Sequence, residues 1–221
     1  MNRSDFFIQI RKSLFVSSLL QTQVDGITAI LDEAEKRKTP LSHLAYIFAT
    51  TYHETAKTMQ PIAEYGKGRG HAYGNKGKHG QPQYGRGFVQ LTWDVNYEKA
   101  DKELGLNGAL LKDFNLALDP KIATQIMFSG MEKGWFTGRK LSDYLDGPLP
   151  DYGSARRIIN GMDKSNLISG YASDFAAALE LSKYGQASET PITYGTAPTP
   201  SGGWLAAMIE FIVNIIKGWK N

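Results

Sequence analysis

Between Leu44 and Tyr52 the chain reads Leu-Ala-Tyr-Ile-Phe-Ala-Thr-Thr-Tyr, and no acid or base interrupts it until His53 and Glu54. Pro40 suits the opening turn of a helix, and the segment it opens predicts a helix running to about Thr58. Apolar residues occupy almost every face of that helix, so it has to lie at the centre of a core with other elements packed around it. The chain is long enough to build such a core, since 221 residues can bury one domain and leave an appendage. An apolar share of 42% and a charged share of 21% exclude a disordered chain. The absence of cysteine excludes a disulfide framework, a thiol nucleophile and a Cys-ligated zinc site.

The remaining elements are also read as helices, which gives an all-α class with at most a minor β element. Residues 4–36 look helical, with Ser4 as a candidate cap and a break near Ser17-Ser18 or at Gly26. Helical patterns return at 92–103, 119–133, 138–146, 151–161 and 165–183, punctuated by Gly105, Gly134, Gly147-Pro148 and Gly161. Only Gly87-Phe-Val-Gln-Leu91 resembles a strand. A catalytic domain over 1–184 is expected, followed by a Gly/Pro/Ser/Thr linker over 185–203. A C-terminal amphipathic helix over 204–221 completes the chain. In that tail Glu210, Asn214 and Lys217 form a narrow polar stripe among apolar and aromatic residues. It fits contact with a bacterial membrane through 204–219, or docking on the domain or a partner. The first residues read as an amphipathic helix rather than a secretory signal, so synthesis in the cytoplasm is expected.

Glu54 is the first candidate for chemistry, because a lone acid in apolar company can serve as a proton donor near neutral pH. Glu64 follows ten residues later, beyond Pro61, which ends any continuing helix. Next comes a loop over 65–87 with eight glycines, five basic residues (Lys67, Arg69, Lys76, Lys78 and Arg86) and no acid. Its length marks a binding element, and its charge would steer an anionic polymer toward the acids; a plain solvated loop is the alternative. Two carboxylates of unlike surroundings point to glycosidic hydrolysis, with Glu54 as acid and Glu64 as base, kept ionised by Lys67 or Arg69. Cap or salt-bridge roles for both remain open at this point. A metal reading is weak. His43, His53, His71 and His79 show no ligand spacing, and His53-Glu54 is not part of an H-E-x-x-H motif. Neither a nucleophile elbow nor a phosphate loop is present.

His53-Glu-Thr55, Met59-Gln-Pro-Ile-Ala-Glu64, Tyr84-Gly-Arg-Gly-Phe-Val-Gln-Leu-Thr-Trp93, Asn96-Tyr97 and Ala155-Arg-Arg-Ile-Ile-Asn-Gly161 together resemble the family 19 glycoside hydrolases. That family comprises chitinases and chitinase-like endolysins of bacteriophages, and the likeness spans residues 20–184. It implies a two-lobed, lysozyme-like helical fold with a central cleft. It also implies Glu54 as general acid, Glu64 as general base and Thr92 as the hydroxyl that holds the attacking water. Gln90, Asn96, Tyr84 and Asn160 become substrate-binding or cleft-supporting positions. His53 and one of Arg156 and Arg157 become supporting residues, and no cofactor or metal is implied. The residues agree with this: Gln90 and Thr92 share a face if extended, and Asn96 follows Thr92 by one helical turn. Trp93 and Tyr97 read as core packing.

The lack of cysteine, the short interval between the acids and the basic loop favour a phage endolysin within that family. The expected reaction is inverting hydrolysis of the β-1,4 bond between N-acetylmuramic acid and N-acetylglucosamine in peptidoglycan. The expected partner is the peptidoglycan glycan strand in the periplasm, reached by a monomer with no nucleic acid involved. A chitinase on β-1,4-linked N-acetylglucosamine polymers is the alternative. A non-enzymatic wall-binding or membrane-disrupting lysis protein is the third reading.

Overall fold

A computed structural model of the chain describes residues 1–15 and 18–186. The linker and tail expectations for 187–221, including the amphipathic helix and its membrane contact, lie outside the described residues. Among the described residues eight α-helices carry the fold: α1 (Arg3–Ser13), α2 (Gln21–Arg37), α3 (Leu41–Glu54), α4 (Asp94–Glu103), α5 (Ala109–Lys112), α6 (Pro120–Lys133), α7 (Ser142–Leu145) and α8 (Ser165–Leu181). Short 3-10 turns cover Ala72–Gly74, Phe114–Leu118 and Ser154–Ile158. Two two-residue strands, β1 (Ile62–Ala63) and β2 (Arg86–Gly87), pair antiparallel, Ile62 with Gly87 and Ala63 with Arg86. The class is all-α, as the sequence pattern predicts. No helix among the described residues is long and apolar enough to cross a membrane.

The central helix is α3, buried at every position from His43 to Tyr52. It packs mainly on α8, which also carries α1, and across the three helices Phe6 meets Phe48 at a tilt, 5.5 Å away, while Phe48 stacks on Phe175 at 5.1 Å. On the other side α2 packs on α6, where Arg37 reaches both Glu33 and Glu132. Asp119 caps α6 by accepting from the amides of Lys121 and Ile122, Pro120 fills its first turn, and left-handed Gly134 ends it.

Several element boundaries differ from expectation for local reasons. The cap of α1 is Asn2, whose side chain accepts from the Asp5 amide, and not Ser4. Gly26 lies inside α2 rather than at a break, because the backbone of Met59 presses against it. α3 stops at Glu54, four residues early. There the Lys57 amide bonds back to the Tyr52 carbonyl while Ala56 and Lys57 turn left-handed (φ 48° and 68°), a helix-ending pattern that sequence periodicity does not reveal. The strand expected over Gly87–Leu91 begins at Arg86 and gives way to a tight turn, in which Arg86 and Leu91 exchange both backbone hydrogen bonds.

Candidate active site

Glu64 sits one residue beyond β1, and the β1–β2 ladder sets its place: its amide donates to the Gly85 carbonyl at 2.8 Å. Its side chain accepts from the Gly85 amide at Oε2 and from the Tyr73 hydroxyl at Oε1, each at 3.3 Å. Among the described residues it forms no ion pair with Lys67 or Arg69, contrary to expectation. A cavity of about 610 Å³ opens over this carboxylate. Gln90, Thr92, Asn96 and Asn160 line the cavity together with Glu64, so four of the five expected cleft residues around it are brought together with the base candidate.

The route to this cluster is not an extended strand. Gln90 has φ 53°, so the chain turns there, and its side-chain amide donates to the carbonyls of Ile62 and Gly87. The same turn carries Thr92, whose hydroxyl donates to the Gln90 carbonyl at 2.8 Å. Gly85 is the position the turn closes upon. A Cβ there would stand 2.9 Å from Gln90 Oε1 and 3.3 Å from Thr92 Oγ1, so a side chain would intrude on both groups. Asn96 meets Thr92 as its spacing predicts, donating from its side-chain amide to the Thr92 carbonyl at 2.7 Å. The opposite part of the lining comes from Phe136, Ile159 and Asn160. Thr137 secures it by donating to the carbonyls of Arg157 and Ile158.

Glu54 ends α3 outside the lining of this cavity, and it is not the unpaired acid its sequence surroundings suggest. Arg156 donates from Nη1 to Glu54 Oε1 at 2.7 Å and from Nε to the Asp163 carbonyl at 3.2 Å. Arg156 is 3% exposed while Arg157 is exposed, which settles which arginine turns inward. The pair ties Glu54 to the 3-10 turn that leads directly into Ile159 and Asn160. His53 is half-buried beside it. Tyr84 stands apart from the cavity: its ring lies under the buried Arg86 guanidinium at 3.6 Å, and its carbonyl accepts from Arg86 and from the Tyr97 hydroxyl. It supports the turn rather than lining the site.

Two aromatic positions, Trp93 and Tyr97, are expected in the core from the sequence. Tyr97 is there, fully buried and stacked on Phe114 at 3.9 Å. Trp93 is not: with φ 73° it leaves the core, is 42% exposed and lines the cavity. Tyr73 and Phe136 also line it, and no spacing rule in the sequence singles them out. The histidines do not converge, since His43 meets Asp146, His79 meets Glu98 and His71 stacks on Tyr73. Among the described residues no three His, Asp or Glu side chains gather in a way that would hold a metal.

No family model matches the chain. A rice protein named chitinase 11 (Oryza sativa subsp. japonica) is 30% identical over 164 residues, covering 66% of this chain and 59% of the rice protein. The acidic endochitinase SP2 of Beta vulgaris is 27% identical over 154 residues, 61% of this chain and 50% of its own length. The chain is similar in sequence to plant chitinases over part of their length. An Arabidopsis thaliana endochitinase adds 37% identity over 83 residues, 37% of this chain and 26% of that protein. The chain therefore spans from about a quarter to three fifths of the length of these relatives. Among solved structures, chitinase C of Streptomyces griseus matches with 21% identity and a TM-score of 0.47 over 72% of this chain and 69% of that one.

These relatives correct the expectation of a peptidoglycan-cleaving phage endolysin: they are chitinases, and neither a muramidase role nor a peptidoglycan partner has their support. The structure also reduces the charge that the loop presents to a polymer. Arg86 is 2% exposed and spent on the Pro82 and Tyr84 carbonyls, Asn115 and Tyr97. Lys78 is paired with Glu98 at 2.6 Å. One of the five loop cations is thus buried and a second is offset by a neighbouring carboxylate. The absence of cysteine concerns stabilisation and redox setting, and carries no information about which sugar polymer is cut.

Proposed function

We propose that the chain is a glycoside hydrolase that cleaves β-1,4-linked N-acetylglucosamine polymers, with Glu54 and Glu64 as its two carboxylates. The observation that carries this reading is an open cavity in which Glu64, Gln90, Thr92 and Asn96 meet, in a chain whose relatives are chitinases. Glu64 acts as the general base and takes a proton from a water held between it and the Thr92 hydroxyl. That water attacks the anomeric carbon from the face opposite the leaving sugar. Glu54 donates a proton to the glycosidic oxygen as the carbon–oxygen bond breaks. Arg156 donates to Oε1 of Glu54, so a proton carried by this carboxyl sits on Oε2. The product has inverted configuration, and the chemistry uses only side chains and water.

Incubation with chitin oligomers, followed by proton NMR of the first product formed, tests the reading. An α-anomer is expected. Glu54→Gln and Glu64→Gln are each expected to lower kcat by about 10²–10⁴-fold, the range of general acid or base catalysis. Absence of new reducing ends from chitin oligomers, or full activity in both variants, would refute it.

A further inference from the structure

The glycine-rich loop after Glu64 is folded around one side chain. Gly68, at φ 68°, and Gly74 flank Tyr73, and their backbones touch so closely that a Cβ on Gly68 would stand 2.5 Å from the Gly74 Cα and 2.9 Å from the Tyr73 ring. Behind the ring, His71 stacks in parallel at 4.9 Å. The Tyr73 carbonyl accepts from the Gln83 amide at 2.8 Å, which joins the loop to the turn carrying Gln90 and Thr92. Trp93 completes a corner with Tyr73, the two rings 5.6 Å apart at 82°. Both rings line the cavity, and the Tyr73 hydroxyl reaches Glu64 Oε1.

We propose that Tyr73 is a positioning residue for the reaction, its hydroxyl fixing the Glu64 carboxylate and its ring forming with Trp93 the aromatic corner against which a sugar ring lies. This rests on the carboxylate reading above. The Gly85 amide and the Tyr73 hydroxyl approach different oxygens of Glu64, so together they restrict rotation of the carboxylate, and neither alone does so. Desolvation first, and then the charge of Glu64, push the Tyr73 hydroxyl above its ordinary range, so it keeps its proton and stays a donor. Sugar rings present axial C–H groups, and an apolar ring surface held at right angles to a second one offers them contact without a charge. The loop thereby gains a purpose other than electrostatic steering: its glycines allow the close turn that seats Tyr73 over the base.

Kinetics on chitin oligomers separate the two roles. Tyr73→Phe keeps the ring and removes the donor; kcat is expected to fall about ten-fold with KM changed less than about two-fold. Tyr73→Ala removes both, and KM is expected to rise several-fold in addition. Wild type and Glu64→Gln are measured alongside, with thermal unfolding of every variant. If Glu64→Gln is inactive and Tyr73→Phe retains the wild-type kcat, the positioning role is wrong and the carboxylate reading stands. If Glu64→Gln is fully active, or wild type leaves chitin oligomers intact, the carboxylate reading fails and takes this inference with it. A Tyr73→Phe variant that loses kcat only in proportion to a loss of folded protein also overturns the inference.

Discussion

Arg156 shows how one side chain can link the candidate acid to the cavity wall. Its guanidinium sends Nη1 to Glu54 and Nε to the carbonyl of Asp163, and at 3% exposure it has little water to fall back on. A lysine has one nitrogen on a flexible stem and cannot hold both partners in that fixed geometry. Arg156→Lys is therefore expected to lower kcat on chitin oligomers at least ten-fold while the protein still folds. Arg156→Ala leaves Glu54 without its cation and is expected to cost about 3 kcal/mol of stability in urea unfolding. Arg157→Ala, at the exposed neighbour, is expected to match wild type in both measurements. Equal losses at the two arginines would remove Arg156 from the proposed machinery. The sequence left the choice between them open, because two adjacent residues in a 3-10 turn differ in burial by a rotation that no spacing rule fixes.

At the scale of elements, the two candidate carboxylates owe their separation to a junction between α2 and the segment 55–60. Gln23 donates to the Lys57 carbonyl, Gln60 to the Thr22 carbonyl, and the Met59 carbonyl lies against Gly26. A Cβ at Gly26 would stand 1.7 Å from that carbonyl oxygen, so any side chain forces α2 and the segment apart. Gly26→Ala is expected to destabilise the fold by about 3 kcal/mol, against the small gain a helical Gly→Ala change would otherwise bring. Because the displaced segment leads into β1 and Glu64, kcat is expected to fall as well. A stabilised, fully active variant in urea unfolding and oligomer assays would show that the junction yields. An unbroken apolar run made α3 legible, and helical spacing of apolar residues did so for α4, α6 and α8. The hairpin, the early end of α3 and the place of Gly26 were not legible. They depend on left-handed residues such as Lys57 and Gln90 and on backbone contacts between distant segments, neither of which leaves a periodic trace.

For the molecule as a whole, class was legible and substrate was not, and the two have different physical origins. An apolar helix such as α3 demands a surrounding core whatever the protein does, whereas choice of polymer depends on charges whose availability folding decides, as Arg86 and Lys78 show. That core also sets an alkaline limit. Burial pushes the hydroxyls of Tyr46, Tyr97, Tyr152 and Tyr184 up to about 12, whereas an unfolded chain releases these protons near pH 10. Below about pH 10 both states keep the protons and stability is complete. From about pH 10 to 12 the unfolded state binds fewer protons, so stability falls by about 1.4 kcal/mol per pH unit for each of the deeply buried Tyr46 and Tyr97, and by less for Tyr152 and Tyr184, which water screens in part. For Tyr46 and Tyr97 the whole interval amounts to roughly 3 kcal/mol each. Urea midpoints are expected to stay level between about pH 8 and 9 and to drop steeply above 10. Tyr46 isolates the cause, because among the described residues its hydroxyl faces only that of Thr50 and the two do not reach well-formed hydrogen-bond geometry. Tyr46→Phe should then cost little at neutral pH and make the alkaline fall shallower by one tyrosine. An alkaline slope identical to wild type would mean that the protons of this core are not what limits the fold at high pH.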